Sequence, residues 1–177
     1  KARSIVKKIF GFDDFISLQE EIIANILAGR DTLVVMPTGG GKSLCYQVPA
    51  LIFEGLTIVV SPLISLMKDQ LDFLLEHNIP AARLDSTLRK EEYNRIIFRA
   101  KAGELKILMV SVERFRNERF RIHLARLVIS LLVIDEAHCI SEWGHNFRPG
   151  YLKIPWYCKE FKIQQVLLLT ATATAKV

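Results

Sequence analysis

Cysteine is scarce in this chain. The three present, Cys45, Cys139 and Cys158, are widely separated and form no CxxC pair. That spacing excludes a zinc ribbon or a redox dithiol and fits reduced thiols of an intracellular compartment. No apolar run is long enough to span a bilayer, so no membrane partner is expected. The first residues, Lys1-Ala2-Arg3-Ser4, carry no long apolar stretch of the signal-peptide kind and no initiator Met, so the chain reads as a piece of a longer protein. Internal repeats and low-complexity tracts are absent. Acidic residues are outnumbered by basic ones, giving a net charge of +5 over 177 residues. The excess suits either ordinary surface solvation or attraction to polyanions.

What remains is the composition of one globular domain: 50% hydrophobic and 24% charged residues. Short runs rich in Val, Ile and Leu at 32–35, 57–60, 81–84, 107–110, 131–134 and 166–169 predict strands buried on both faces. Amphipathic stretches at 18–27, 43–53, 63–75, 91–101, 117–124 and 150–161 predict helices between them. This alternation implies βαβ units and a mostly parallel central sheet flanked by helices, a three-layer α/β fold. Ligands of such sheets sit at the carboxyl ends of strands, and every motif below falls at such an end.

The first motif is Met36-Pro37-Thr38-Gly39-Gly40-Gly41-Lys42-Ser43, between a predicted strand and a predicted helix. Glycines let a backbone curl so that its N–H groups face phosphate oxygens. Lys42 would reach β- and γ-phosphates and Ser43 would offer its hydroxyl to Mg²⁺. The second is the apolar strand 131–134 running into Asp135-Glu136-Ala137-His138. In a P-loop nucleotidase the first carboxylate holds Mg²⁺ through its water shell, and Glu136 would position and deprotonate the attacking water. His138 belongs to the same cluster; its alternative role is to cap local backbone.

A third segment, 143–148, sets Trp143, His145, Phe147 and Arg148 between Gly144 and Pro149. Rings and a guanidinium alternating with polar groups suit stacking on unpaired bases. The competing reading packs Trp143 and Phe147 beneath the loop as a small satellite core.

Segments 36–47, 61–70, 135–148 and 170–173 resemble the first half of the RecQ family of DNA helicases, a likeness that covers nearly the whole chain. Residues 138–149 are its most diagnostic piece and look like that family's aromatic-rich loop. The resemblance implies that residues 1–177 form the first RecA-like, DEAD/DEAH-type motor domain. It implies Mg-ATP as cofactor, single-stranded or partly duplex DNA as partner and 3′-to-5′ unwinding. A second RecA-like domain working in cis, then zinc-binding and winged-helix regions, would lie outside this chain, so zinc is expected only there.

Carried over residue by residue, the resemblance places adenine recognition on Gln19, with Phe12 stacking on the base, Thr38 to Ser43 around the phosphates, and Lys42, Asp135, Glu136 and His138 in catalysis. It places nucleic-acid contact on Ser61, Lys68, Ser111, Arg114, Trp143, His145, Phe147 and Arg148, and relay of hydrolysis to movement on Thr170 and Thr172. Three positions depart from the pattern. Met36 replaces the usual first glycine of the phosphate loop, Ile16 stands where the family usually has Arg, and Val112 where it commonly has Pro. Independently, Ser61-Pro62 makes a suitable N-cap and first-turn pair for the helix that follows. A Thr170 hydroxyl can bond Asp135 or His138 across neighbouring strand ends. Alternatives that share some of these motifs are an RNA-dependent ATPase, a non-catalytic nucleic-acid-binding module and a small-metabolite kinase.

Overall fold

The alternating apolar runs assemble into one six-stranded sheet in a computed structural model that describes residues 1–16, 18–140 and 148–171. The strands are β1 (Thr32–Val35), β2 (Leu56–Ser61), β3 (Ala81–Leu84), β4 (Ile107–Ser111), β5 (Ile129–Ile134) and β6 (Val166–Thr170). Their order is β1-β6-β5-β2-β4-β3 and every neighbouring pair is parallel. All strand carboxyl ends therefore share one edge.

The helices are α1 (Ala2–Ile9), α2 (Gln19–Leu27), α3 (Leu44–Ile52), α4 (Ile64–Glu76), α5 (Lys90–Lys101), α6 (Glu118–Leu124) and α7 (Ile154–Glu160). Short 3₁₀ turns follow β4 (Val112–Arg116) and β5 (Ala137–Ile140), and another precedes α7 (Pro149–Lys153).

Period-two side-chain alternation divides each central strand between two cores. Val59, Met109, Val133 and Leu169 pack under α1 to α4. Ile58, Val60, Leu108, Val110, Leu132 and Ile134 pack under α5, α6 and α7. The division follows from handedness. Connections running toward β3 (β1 to β2, β2 to β3) place α3 and α4 on one face, and those running back place α5, α6 and α7 on the other, as right-handed crossovers require. The loops after β1 and β2 thus leave the carboxyl edge toward one face and those after β4 and β5 toward the other, which opens a crevice along that edge.

Several boundaries differ from expectation for local reasons. Helix α1 lacks a predicted counterpart: it is short and basic, and its order comes from docking Val6, with Phe10 just beyond its end, into the first core. The expected helix over 150–161 breaks in two. Pro155 has no N–H to offer the Tyr151 carbonyl, which accepts from Ile154 N instead, so a 3₁₀ turn precedes α7. Ser61 is not a helix N-cap. It is the buried last residue of β2, its hydroxyl has no hydrogen-bond partner among the described residues, and α4 is entered through Leu63 in extended conformation.

Candidate functional site

The phosphate loop is shaped by its glycines. Gly39 and Gly41 take φ of +79° and +76°, which L side chains rarely adopt, and a Cβ on Gly40 would lie 2.9 Å from the Pro37 carbonyl oxygen. A Cβ on Gly41 would also collide with the Gln19 amide. The loop closes on itself through Gly40 N to Pro37 O (3.0 Å) and passes directly into α3, beginning with Leu44 N to Gly41 O at 3.2 Å. The Lys42 ammonium donates to the loop's own carbonyls, Met36 O at 3.0 Å and Pro37 O at 3.2 Å. Met36, the departure at the head of the motif, is buried in the first core, so a core-filling side chain occupies that position.

Gln19 uses both ends of its amide inside the protein. Its Oε1 accepts from Ile16 N at 3.0 Å and its Nε2 donates to Gly41 O at 3.0 Å. The residue sequence reasoning assigned to a base edge thus ties the segment before α2 to the phosphate loop. Phe12 is half exposed and lines a cavity of about 320 Å³ that reaches Gly41 and Ser43, where a base beside the loop would lie. Thr38 is exposed at the loop's tip.

Asp135 lies just past β5, two strands away from β1 with β6 between them. It is buried, its backbone N–H is bonded to Val60 O, and its Oδ1 accepts from Glu136 N at 3.0 Å. Burial, then the Glu136 charge, pushes its carboxyl up from 3.8 to about 6; the Glu136 amide bond, Lys42 and His138 act in the opposite direction. Lys42, Glu136 and His138 are therefore electrostatic neighbours of Asp135. Glu136 sits in the left-handed region at φ 52°, a conformation that a non-glycine residue holds only under local constraint. His138 Nδ1 lies 3.2 Å from Glu136 Oε2 and 3.1 Å from Thr170 Oγ1 at the end of β6. The expected link between the acidic motif and the last strand is thus formed, through His138.

Among the described residues no three His, Cys, Asp or Glu side chains converge as a metal cage. The donor set at this edge, one buried carboxylate and the Ser43 hydroxyl next to a phosphate loop, suits Mg²⁺ held mainly by water and substrate phosphates.

The nucleic-acid candidates lie farther along the edge and are less closely knit. Ser61 and Ser111 end β2 and β4 in register with each other, both buried. Lys68 is exposed on α4. Arg114 turns back into the domain: its guanidinium bonds the Asp85 carbonyl and sits over the Tyr93 ring at 5.5 Å. Arg148 pairs with Glu113 at 2.9 Å, and its backbone N–H reaches Cys139 O at 3.2 Å, which ties Arg148 to the turn after β5. Trp143, His145, Phe147 and Thr172 lie outside the described residues.

Sequence reasoning missed three partners. Tyr46 donates to Gln70 Oε1 at 3.0 Å, joining α3 to α4. Tyr151 donates its buried hydroxyl to the Asp135 carbonyl at 3.3 Å. Glu113 anchors Arg148. None had a spacing signal, because each is defined only by what lies across from it in the fold.

A family model described as DEAD/DEAH box helicase matches residues 16–177. The ATP-dependent DNA helicase RecQ of Haemophilus influenzae is 46% identical over 172 residues, which cover 97% of this chain and 28% of that protein. RecQ of Bacillus subtilis is 46% identical over 179 residues, covering the whole chain and 30% of that protein. The chain thus spans under a third of either relative. Among solved structures, the helicase domain of Pyrococcus furiosus Hef aligns with a TM-score of 0.65 at 24% identity, over 89% of this chain and 33% of that one, a likeness of fold.

Proposed function

Because the chain belongs to the DEAD/DEAH box helicase family, we propose that it is the ATP- and single-strand-binding half of a RecQ-type, ATP-dependent DNA helicase. The observation that carries this reading is the cluster of Asp135, Glu136 and His138 at one strand edge, with Lys42 in electrostatic reach of Asp135 and His138 bonded onward to Thr170.

In this reading the loop N–H groups of Gly39 to Gly41 bind phosphate, and Lys42 exchanges its bonds to Met36 O and Pro37 O for phosphate oxygens. Ser43 and Asp135 hold Mg²⁺, which when bound neutralises charge on the β- and γ-phosphates. Glu136 takes the proton of the attacking water, its carboxylate held in place by His138. Thr170 carries the state of that cluster to the end of β6 and toward Thr172. Phe12 stacks on the base while Gln19 holds the base-side segment against Gly41. Ser61, Lys68, Ser111, Arg114, Trp143, His145, Phe147 and Arg148 form the DNA side. The tie from Arg148 to Glu113 and Cys139 connects the aromatic loop with the strand end that bears Asp135.

The reading extends to 3′-to-5′ unwinding, an intracellular site of action, a second motor domain in cis and zinc held elsewhere in the protein. An arginine finger from that second domain is worth roughly 10³–10⁵ in rate in related nucleotidases, so residues 1–177 alone are expected to bind nucleotide weakly and to hydrolyse and unwind negligibly. The test measures ATP hydrolysis by the whole protein with single-stranded DNA and with RNA. DNA stimulation that disappears in Lys42→Ala is the expected result. Preferential stimulation by RNA would move the protein to a neighbouring branch, and hydrolysis unchanged by Lys42→Ala would remove the catalytic reading altogether.

A further inference from the structure

On the face covered by α5, α6 and α7, a groove runs between the turn after β4, the turn before α7 and α7 itself. Two adjoining cavities of about 470 and 220 Å³ share Arg116, Lys153 and Tyr157 as lining. The two turns approach closely beside it: a Cβ on Gly150 would stand 3.0 Å from the Val112 side chain, a tight contact.

The lining has a specific chemistry. Trp156 is 54% exposed, although an indole is usually covered. Its ring is held by its neighbours: Arg121 lies over it at 5.5 Å, and Tyr157 meets it edge-on at 5.2 Å. Arg121 is itself fixed by the Phe115 carbonyl at 3.0 Å and by Glu160 at 3.3 Å, and that carboxylate offsets its charge. Two further cations, Arg116 and Lys153, are exposed and make no ion pair among the described residues. A rigid exposed ring beside two unpaired cations in an elongated groove is the combination that holds a single strand without reading its sequence. The groove also starts at the right place. Val112 and Pro149 line it, next to the Glu113–Arg148 pair that marks the DNA side of the carboxyl edge.

We propose that this groove is a second single-strand contact, in which Arg116 and Lys153 bind successive phosphodiesters and Trp156 stacks on a base. It extends the strand's path from the carboxyl edge down the α7 face. The proposal rests on the nucleic-acid reading above but assigns contact to residues which that reading does not use.

The test is anisotropy of labelled oligo(dT) and of oligo(U) of equal length, titrated with the protein over a range of salt. Trp156→Ala is expected to weaken binding about fivefold or more, and Trp156→Phe to restore most of it, since stacking needs a ring and not an indole. Arg116→Ala with Lys153→Ala should lower the slope of log K against log salt by roughly 1.4, two single-strand phosphate contacts. Both losses are expected with either oligomer, because neither a ring nor a cation reads the 2′-hydroxyl. Thermal melts within error of the parent show that these exposed substitutions leave the fold intact. If all groove variants bind within twofold of the parent while Lys68→Ala weakens binding, the groove is off the path and the DNA reading stands. If the parent binds neither oligomer, both fall together.

Discussion

The two halves of the sheet's carboxyl edge are built differently. At β1, β6 and β5, functional groups bond to one another: Gln19 to Gly41, His138 to Glu136 and Thr170, and Glu136 N to Asp135. At β2 and β4 the strand ends carry two buried serines, and the cations around them stand apart: Lys68 exposed, Arg148 in a half-exposed pair with Glu113, Arg114 turned inward. Chemistry at a phosphate needs groups fixed before substrate arrives, and mutual bonding in a poorly solvated place provides that. Holding a strand that must slide needs contacts that are individually weak and replaceable, and exposed cations provide those.

This contrast predicts larger consequences at the first half than at the second. Lys42→Ala should lower DNA-stimulated ATP turnover by at least about 100-fold, as loss of a preorganised charge at a transferring group does; a steady-state assay on the whole protein measures it. Asp135→Asn should abolish turnover yet stabilise the fold. The carboxyl is raised from 3.8 to about 6, so the folded state holds its proton more tightly than the unfolded one. Its contribution is therefore fully present below about pH 4 and is lost as pH rises through about 6. In nucleotide-free, chelator-treated protein, Asp135→Asn is expected to match the parent at pH 4 and to exceed it by about 2–3 kcal/mol at pH 7.5 in denaturant melts. Equal stability at both pH values would break the comparison, because the first half would then carry no cost of burial.

Gln19→Ala removes two bonds from a buried amide and should cost about 1–3 kcal/mol, read as a lower melting temperature and weaker binding of a fluorescent ATP analogue. Thr170→Val keeps the shape but loses the bond to His138, and a double-mutant cycle with His138→Ala should report a coupling of about 1 kcal/mol. Lys68→Ala should be the mildest. Its effect is confined to oligonucleotide affinity, a few-fold at low salt, with a salt slope lower by about 0.7. An effect of Lys68→Ala on nucleotide affinity would join the halves that the geometry keeps apart.

Much of this was legible in advance, and the reason is local. The phosphate loop needs backbone curvature that only consecutive glycines supply, so Gly39 to Gly41 announce it wherever they follow a strand. All six strands begin and end within two residues of the expected bounds, because short apolar runs rich in Val, Ile and Leu between turn signals suit strands buried on both faces. What misled was also local. Ser61-Pro62 has the composition of a helix start, but Ser61 completes the register with Ser111 and stays in the strand. Where the Arg114 side chain rests was not legible either, because the carbonyl of Asp85 and the ring of Tyr93 that receive it lie far off in the chain.

The order of residues alone determined the α/β alternation, the phosphate loop and the delivery of each motif to the end of a strand, since each depends on neighbours a few positions away. The tertiary structure decided which strand ends stand side by side. Only the order β1-β6-β5-β2-β4-β3 brings Thr170 to His138, Lys42 into the field of Asp135, and the turn after β4 against the turn before α7. Those meetings join residues that are far apart in the chain, and they are set by crossover handedness and by the packing of two cores, which no short pattern encodes.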